Sequence, residues 1–313
     1  MRTPRANGYR DAWCGELDAA RVGDTVRVAG WVHRRRDHGG LIFIDLRDRT
    51  GLVQLTFHPE TAPEAHAAAE RLRPEHVISA SGEVVRREPG NVNPNLATGE
   101  IELDVSSVEL LAESATPPFP VDEDGAVDET LRLRHRVIDL RREGMRDTMM
   151  LRHTVVRAMR EYLNARDFVD METPVLTRST PEGARDFLVP SRMNQGEFYA
   201  LPQSPQLFKQ LLMMAGFERY YQIARCFRDE DLRADRQPEF TQLDLEMSFA
   251  TLEMVFGVME PLIQTIFAEI GCEIPLKFPR MPYAEAMARY GSDKVSGTRR
   301  SGLSEPYLDI ASA

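Results

Sequence analysis

Two stretches of alternating residues between positions 219 and 249 constrain the fold more than any other part of the sequence. The first reads YYQIARCFRDE (220–230), and the second, TQLDLEMSF (241–249), follows a polar segment at 231–240. Apolar side chains occupy every other position of the second stretch: Leu243, Leu245, Met247 and Phe249. Alternation with a period of two predicts strands with one dry and one polar face. The sequence therefore predicts two long antiparallel strands that form the wall of a polar cleft.

The polar face of these strands carries charges that suit a charged substrate. Arg228 and Glu230 are two residues apart, so both are expected on one face of the first strand. Asp244 and Glu246 form an acidic row on the second strand. An arginine fork suits a phosphate, and an acidic row suits an ammonium group or a metal ion. A salt-bridge ladder on a solvated sheet is the alternative interpretation.

An amphipathic helix is predicted upstream, over residues 145–166. Its apolar side chains recur at helical spacing: Leu151, Val155, Met159 and Tyr162. The segment FVDMETPVL (168–176) that follows is a strand candidate containing Pro174. Because proline donates no backbone hydrogen bond, this strand is expected at a sheet edge or at an interface.

A second helix is predicted to begin at Ser204-Pro205, with serine as N-cap and proline at the first helical position, and to end at Gly216. Gln206 and Lys209 are three residues apart, so both point to one side near the positive end of this helix. A solvated helix end is the alternative interpretation of Lys209. Four apolar residues are expected to serve packing: Leu207, Leu211, Leu212 and Met214.

The first 112 residues predict a separate β-rich domain. Strand candidates and one helix, opened by Pro63 and ending near Arg73, follow one another in the order 25–33, 41–48, 51–57, 63–73, 76–86 and 101–110. Three strands, a helix and two strands are the order of an OB-fold barrel, a common platform for single-stranded nucleic acid. Other small barrels share this order.

A basic loop is expected between the first two strands, where the sequence reads RRRDHGG (34–40). Arg34, Arg35 and Arg36 can meet phosphates. Phe43 could stack on a base, and Gln54 could offer a hydrogen-bonding edge. A solvated basic turn above a packed phenylalanine is the alternative.

Net charge, cysteine spacing and apolar content limit the classes of function that the chain can have. The net charge of −10 gives no general attraction to nucleic acid, so RNA contacts must come from local basic patches. Three widely spaced cysteines without a CxxC pair suit a reducing cytoplasm. No apolar stretch is long enough to span a membrane, and the basic N-terminus leads into no hydrophobic run that would indicate a secretory signal.

Several motifs resemble the bacterial aspartyl-tRNA synthetases of class II. Residues 226–230 (CFRDE) and 237–246 (QPEFTQLDLE) resemble the second signature motif of that class. Residues 180–186 (TPEGARD) and 203–209 (QSPQLFK) resemble the aspartyl and asparaginyl branch. The helix 145–166 with Pro174 resembles the first motif, which builds the dimer interface. Residues 31–48 and 51–57 resemble the anticodon-binding domain, and the likeness runs from about Cys14 to Lys294.

The resemblance implies a role for each residue of the motifs. Arg228 would hold the α-phosphate of ATP and counter the charge that develops there, and Phe240 would stack on adenine. Asp229, Glu230 and Gln237 would also contact the nucleotide. Lys209 would pair with the side-chain carboxylate of L-aspartate. The amino group of aspartate would be received by Glu182, Ser204, Gln206 and Asp244. Glu246 is a candidate ligand for Mg²⁺, whose main acidic ligands belong to a later stretch of the family.

The fold expected from these observations is α+β: an N-terminal OB-fold β-barrel followed by part of a class II antiparallel sheet with flanking helices. We predict an anticodon-binding domain at 1–112, a linker at 113–140, a partial catalytic domain at 141–294 and an atypical tail at 295–313. The tail lacks the Gly-rich third motif of the family and has the character of a terminated, frame-shifted or fragmentary end.

The resemblance implies an aspartate–tRNA ligase, which activates L-aspartate with ATP to aspartyl-adenylate and transfers it to the 3′ end of tRNA. In this chain that activity is expected to be incomplete. A non-catalytic anticodon-binding protein or inactive synthetase fragment is the alternative. An amidating asparagine synthetase is disfavoured, because such relatives generally lack the anticodon domain.

The resemblance also bears on which partners the protein has. His38 and Gly90 are shared with enzymes of relaxed specificity, which charge tRNA for asparagine as well as tRNA for aspartate. Ordinary loop variation is the alternative explanation of both positions. A homodimer is expected through the first motif, at about residues 145–177.

Overall fold

A computed structural model describes residues 6–121, 125–180, 182–231, 236–275 and 278–292. The chain divides into two compact units, Met1–Met150 and Leu151–Ala313. The fold is α+β, as predicted: a β-barrel lies in the first unit, and an antiparallel pair with flanking helices lies in the second. The predicted tail at 295–313, with Lys294, lies outside the described residues. No helix in the part of the chain that the structure describes is long and apolar enough to cross a membrane.

The barrel of the first unit is closed by five strands in the order β1-β2-β3-β5-β4. Its elements are β1 (Thr25–His38), β2 (Leu41–Arg47), β3 (Leu52–Phe57), α1 (Pro63–Ala69), β4 (Val77–Arg86) and β5 (Ile101–Ala112). All neighbouring strands are antiparallel except β3 and β5. The inward residues of every strand form one buried apolar core, so the predicted order of strands and helix is confirmed.

The first hairpin differs from its prediction. Residues 34–38 continue β1 instead of forming a loop, because a bulge between Val32 and Arg34 lets them pair with β2. The connection is the two-residue turn Gly39-Gly40, with φ of +60° and +83°. Positive φ at both positions matches the turn that suits the twist of a hairpin. The helix α1 is also shorter than predicted and ends at Ala69.

Gly82 lies where β4 and β5 approach most closely. A Cβ atom at this position would lie 2.1 Å from the carbonyl oxygen of Asp104. We therefore expect Gly82→Ala to lower the free energy of unfolding of the first unit by about 2 kcal/mol, because the backbone would have to move. Urea unfolding followed by tryptophan fluorescence measures this directly, since both tryptophans, Trp13 and Trp31, lie in the first unit.

Gly8→Ala is the matched control, because a Cβ atom on Gly8 would meet nothing within 4 Å. It should change the free energy of unfolding by no more than about 0.5 kcal/mol. Equal effects of the two substitutions would contradict the close approach at Gly82.

The segment after the barrel contains two short helices, α2 (Glu129–Arg134) and α3 (Arg136–Asp139). The carboxylate of Asp139 is fully buried and accepts hydrogen bonds from Arg132 and Arg136. A buried charge needs paired and hydrogen-bonded partners, and the basic sequence of this segment supplies them.

The second unit is built on a three-stranded sheet in the order β10-β9-β6, with β9 and β10 antiparallel. The remaining elements of the chain are α4 (Glu143–Asn164), β6 (Val169–Asp170), β7 (Leu188–Pro190), β8 (Phe198–Ala200), α5 (Gln206–Met214), β9 (Arg219–Phe227), β10 (Glu239–Met247), α6 (Leu252–Ala268) and α7 (Tyr283–Tyr290). The two alternating stretches are therefore the two long antiparallel strands β9 and β10, as predicted. The strand predicted at 168–176 is reduced to β6.

The dry face of the sheet packs against helices of the second unit. Tyr221 is fully buried, and Leu243, Leu245 and Met247 pack against a cluster that includes Leu163. Phe249 departs from the prediction: it lies beyond the end of β10, with φ of +55°, and is 88% exposed. The alternating pattern of the sequence therefore continues for two residues past the end of β10.

The helix α5 begins one residue later than predicted. Pro205 occupies the N-cap position, and no side chain caps this helix. The Ser204 hydroxyl instead donates to Glu182 at 2.8 Å. The predicted packing role was wrong for three of the four apolar residues, which are exposed: Leu207, Leu211 and Met214. Gly216, with φ of +89°, follows the C-cap and ends the helix as predicted.

Candidate active site and nucleic-acid surface

The register of β9 and β10 determines which side chains share the polar face. Directly opposite residues of an antiparallel pair project to the same side of the sheet. Asp244 lies opposite Gln222, and Glu246 lies opposite Tyr220. The predicted acidic row therefore faces one side, together with the partly buried Phe240. Arg228 and Glu230 depart from the prediction, because β9 ends at Phe227 and both lie beyond the strand.

A cluster of one lysine and two carboxylates forms the centre of this face. Lys209, from the first turn of α5, places its Nζ 3.0 Å from Asp244 Oδ1 and 3.3 Å from Glu246 Oε2. The side chains of Lys209 and Asp244 are only 12% and 11% exposed. The alternative of a solvated helix end is therefore excluded for Lys209.

Burial and neighbouring charges set the protonation of this cluster. Burial lowers the pKa of Lys209, but the hydrogen bonds and charges of Asp244 and Glu246 outweigh it and raise the pKa above its ordinary value. Burial raises the pKa of Asp244 and outweighs the opposing effect of Lys209. Burial, and then the charge of Asp244, raise the pKa of Tyr220 and bring the pKa of Cys226 to about 11. Near neutral pH the lysine is therefore charged, and the phenol and thiol keep their protons.

Two buried polar atoms of the site have no hydrogen-bond partner among the residues that the structure describes: Arg228 Nε and Asp244 Oδ2. A buried donor or acceptor without a partner is costly, and a ligand is one way to satisfy it. The Arg228 guanidinium lies 5.1 Å from the centre of the Phe240 ring. The site therefore offers a cationic donor beside an aromatic ring and a separate free acceptor beside Lys209.

A loop places Glu182 beside Ser204, just before the start of α5. The Glu182 carboxylate accepts from Ser204 Oγ at 2.8 Å and from Thr180 Oγ1 at 3.4 Å. The loop continues to Arg185, whose carbonyl accepts from the backbone N–H of Asp229 at 3.0 Å. The half-buried Gln206 begins α5, whereas Glu230 and Gln237 are exposed.

The described part of this site contains no complete metal-ligand cluster of its own. Among residues 6–292, apart from the undescribed segments, no group of three or more His, Cys, Asp or Glu side chains could hold one. Glu246, the predicted Mg²⁺ ligand, pairs with Lys209 instead. Among the described residues the acidic row therefore holds a lysine ammonium group, and Glu246 as a ligand of Mg²⁺ stays a prediction.

The barrel presents a second polar surface. Arg34 and Arg36 lie opposite Asp45 and Phe43 in the β1–β2 register, on the face away from the buried core. Arg36 donates to Asp45 at 2.8 Å and to Gln54 at 3.4 Å. Most of the predicted anticodon residues therefore share one outer surface of the barrel.

Three predicted positions remain: Arg35, Gly90 and His38. Arg35 is on the opposite side of β1, where its Nε donates to the carbonyl of Ala69 at the end of α1. Gly90 lies in a short 3₁₀ turn, Pro89–Asn91, and is exposed. His38 ends β1 and is also exposed.

Sequence reasoning missed three residues that extend the outer surface. Gln54 Nε2 donates to Glu102 Oε2 at 2.7 Å, and Arg36 donates to both Asp45 and Gln54. Arg87 is only 8% exposed, lies 4.0 Å from Glu102, and has an unsatisfied NH2 among the described residues. The period of two in β2 and β5 could have revealed Asp45 and Glu102, since both alternate with core residues.

Comparison with known proteins identifies the family. Residues 128–303 match the family model described as tRNA synthetases class II (D, K and N). The chain belongs to this family. Residues 26–111 match the OB-fold nucleic acid binding domain, which confirms the barrel as an OB-fold.

The names of three curated relatives all specify aspartate. The chain is 60% identical over 296 residues to "Aspartate--tRNA(Asp/Asn) ligase" of Rubrobacter xylanophilus, covering 94% of this chain and 49% of the relative. It is 58% identical over 303 residues to the protein of the same name from Bacillus subtilis, covering 96% and 51%. "Aspartate--tRNA ligase" of Bacillus licheniformis is 57% identical over 287 residues, covering 91% and 48%. The chain spans about half the length of the curated relatives it matches.

Solved structures of synthetases share the fold. Asparaginyl-tRNA synthetase from Pyrococcus horikoshii, complexed with asparaginyl-adenylate, matches with a TM-score of 0.77 and 25% identity, covering 91% of this chain and 67% of that one. A putative aspartyl-tRNA synthetase from Leishmania major matches with a TM-score of 0.73 and 25% identity, covering 87% and 55%.

Proposed function

We propose that this chain provides the anticodon-binding domain and an aspartate- and ATP-binding wall of an aspartate–tRNA ligase. The observation that carries the proposal is the cluster of Lys209 with Asp244 and Glu246, buried on the polar face of the sheet. A lysine held in its charged form suits the side-chain carboxylate of L-aspartate. The free acceptor Asp244 Oδ2 suits the ammonium group of the same substrate.

The reaction proceeds in two steps. A carboxylate oxygen of aspartate attacks the α-phosphorus of ATP, the bond to the bridging oxygen breaks, and pyrophosphate leaves. A ribose hydroxyl at the 3′ end of tRNA then attacks the acyl carbon, gives up its proton, and AMP leaves. Arg228 would stabilise the charge that develops on the α-phosphate, and Phe240 would stack on adenine. The remaining contribution is positioning, with no protein nucleophile.

A stable analogue of aspartyl-adenylate, with a sulfamoyl group in place of the phosphate, tests the proposal. We expect it to bind the full chain in isothermal titration calorimetry. Arg228→Met should weaken this binding by about a hundredfold, the usual effect of removing a preorganised charge-stabilising group. A wild-type chain that does not bind the analogue would reject the proposed substrate site.

The alternative is a non-catalytic anticodon-binding protein, which would use only the OB-fold domain. The same experiment separates the two functions. Binding of an anticodon stem-loop without binding of the adenylate analogue would support the alternative. Binding of both ligands by one chain would support the ligase.

We infer relaxed tRNA specificity from the exposed positions His38 and Gly90. Both could approach an anticodon base without moving the fold, and a Cβ atom on Gly90 would meet nothing within 4 Å. A small residue leaves room for the alternative base, and histidine offers a donor or an acceptor to either one. Relatives with the name Aspartate--tRNA(Asp/Asn) ligase support the inference.

The prediction is that the wild-type chain binds the aspartate and asparagine anticodon stem-loops with affinities that differ by less than about a hundredfold, or about 2.7 kcal/mol. His38→Leu combined with Gly90→Lys should increase this preference, because one base contact is worth about 1–3 kcal/mol. Fluorescence anisotropy with both stem-loops measures it. A wild-type preference of a hundredfold or more for the aspartate stem-loop would contradict relaxed specificity, leaving ordinary loop variation as the explanation.

We further propose the domain partition 1–112, 113–140 and 141–294, a homodimer formed through residues 145–177, and a cytoplasmic location. Exposed apolar side chains on the second unit support the dimer: Leu151, Val169, Val175 and Leu176. Three free cysteines fit a reducing compartment. Sedimentation velocity of the full chain tests the dimer, and a monomer at all concentrations would reject it.

A further inference from the structure

The side chain of Gln203 makes an unusually complete set of contacts with the loop that carries Glu182. Gln203 is 3% exposed and lies just before α5. Its Oε1 accepts from the backbone N–H of Ala184 at 3.0 Å, and its Nε2 donates to the carbonyl of Ala184 at 2.8 Å. The same Nε2 donates to Asp186 Oδ1 at 2.6 Å. The carboxamide of Gln203 therefore binds both backbone groups of Ala184 and the carboxylate of Asp186.

These contacts fix the loop on both sides of Glu182. Asp186 accepts a second hydrogen bond, from Ser179 Oγ at 2.6 Å, which ties the two ends of the loop together. The residue after Gln203 is Ser204, which donates to Glu182 itself. Adjacent residues at the start of α5 thus hold the loop backbone and the Glu182 carboxylate.

The backbone at Gly183 is otherwise not confined by packing. Gly183 has φ of +106°, and a Cβ atom there would meet nothing within 4 Å. Glycine has more conformational freedom to lose than any other residue. The position of Glu182 therefore depends on its hydrogen-bonded neighbours, because surrounding side chains do not confine Gly183.

We propose that Gln203 is a positioning residue for amino-acid recognition: by holding Ala184 and Asp186, it directs the Glu182 carboxylate towards the ammonium group of the substrate. This inference rests on the proposed function, in which Glu182 receives that group. Gln203 itself does not contact the reacting atoms. Its loss should therefore weaken recognition of the ammonium group selectively.

The test uses three variants of the full chain and one control. Gln203→Glu keeps the acceptor for the Ala184 N–H but removes both donated hydrogen bonds and sets two carboxylates against each other. Adding Asp186→Asn to it restores a donor and the original net charge. Gln203→Met removes all three hydrogen bonds without adding charge. Gln210→Glu, at an exposed position of α5, is the matched control.

The measurement compares two sulfamoyl analogues, aspartyl-adenylate and its succinyl counterpart, which lacks only the α-amino group. We expect Gln203→Glu and Gln203→Met to weaken binding of the aspartyl analogue by about tenfold or more, as displacement of a positioned group does. Binding of the succinyl analogue should change by less than about threefold, as expected for an uncoupled site. The double variant should recover part of the aspartyl affinity, because it restores the contact with residue 186 but not the one with the Ala184 carbonyl, and Gln210→Glu should match wild type.

Equal losses for both analogues, or no loss in Gln203→Met, would overturn the positioning role. A double variant that folds but does not recover would do the same. If Gln203→Glu alone unfolds, Gln203→Met and the double variant still decide the question. A wild-type chain that binds neither analogue would instead reject the proposed function, and the positioning role with it.

Discussion

Replacing Lys209 by methionine is expected to weaken binding of the aspartyl-adenylate analogue by about two orders of magnitude, or about 3 kcal/mol. The substitution leaves the largely buried Asp244 and the partly exposed Glu246 without their shared cation. It also removes the group proposed to meet the carboxylate of the substrate. Calorimetric titration near neutral pH measures the effect, because the raised pKa of Lys209 keeps this side chain charged there.

The control for this prediction is Arg280→Met, which removes an exposed cation of the second unit paired with Glu253. An exposed ion pair contributes at most about 1 kcal/mol to stability, so binding of the analogue should not change measurably. Thermal unfolding of both variants separates lost affinity from lost folding. A Lys209→Met variant that binds with wild-type affinity would show that the cluster is structural only.

Glu75→Gln is expected to destabilise the first unit by about 3–5 kcal/mol, as loss of one partner from a buried ion pair does. Glu75 is 3% exposed, accepts from Arg47 at 2.8 and 2.9 Å, and accepts from Arg141 at 2.7 Å. It also adopts φ of +67°, a conformation that costs energy outside glycine. The ion pairs therefore offset a strained backbone and neutralise a buried guanidinium.

The matched control is Asp24→Asn, which removes the exposed ion pair with Arg21 from the same unit. Its effect should stay below about 1 kcal/mol. Urea unfolding followed by the fluorescence of Trp13 and Trp31 reports on this unit alone. Similar small effects of both substitutions would contradict a buried network centred on Glu75.

The barrel was predictable because its strands alternate and its connections carry clear turn and helix signals. The alternation of β1 does not distinguish a strand from a loop after Val32, where the charged residues begin. The bulge that extends β1 depends on pairing with β2, which is a tertiary property. Arg35 and Arg36 are neighbours in the sequence, yet one contacts the end of α1 and the other faces Gln54.

The second unit was predictable at the level of its two long antiparallel strands and the acidic row on their polar face. Asp244 and Glu246 were expected together because of their spacing, and the register confirms it. The sequence does not indicate that Ser204 would turn from the helix end to Glu182. Nor does it reveal the role of Gln203, because the hydrogen-bond partners of a single glutamine leave no repeating pattern in the sequence.

The most direct test of the proposed aspartate site compares the aspartyl and asparaginyl forms of the sulfamoyl analogue on the wild-type chain. These ligands differ only by a carboxylate and a carboxamide at the position proposed to meet Lys209. A buried cation should favour the carboxylate by about a hundredfold, or about 2.7 kcal/mol. We predict that preference in wild type and its loss in Lys209→Met. Equal affinity for the two forms, or tighter binding of the asparaginyl form, would contradict an aspartate site built on Lys209.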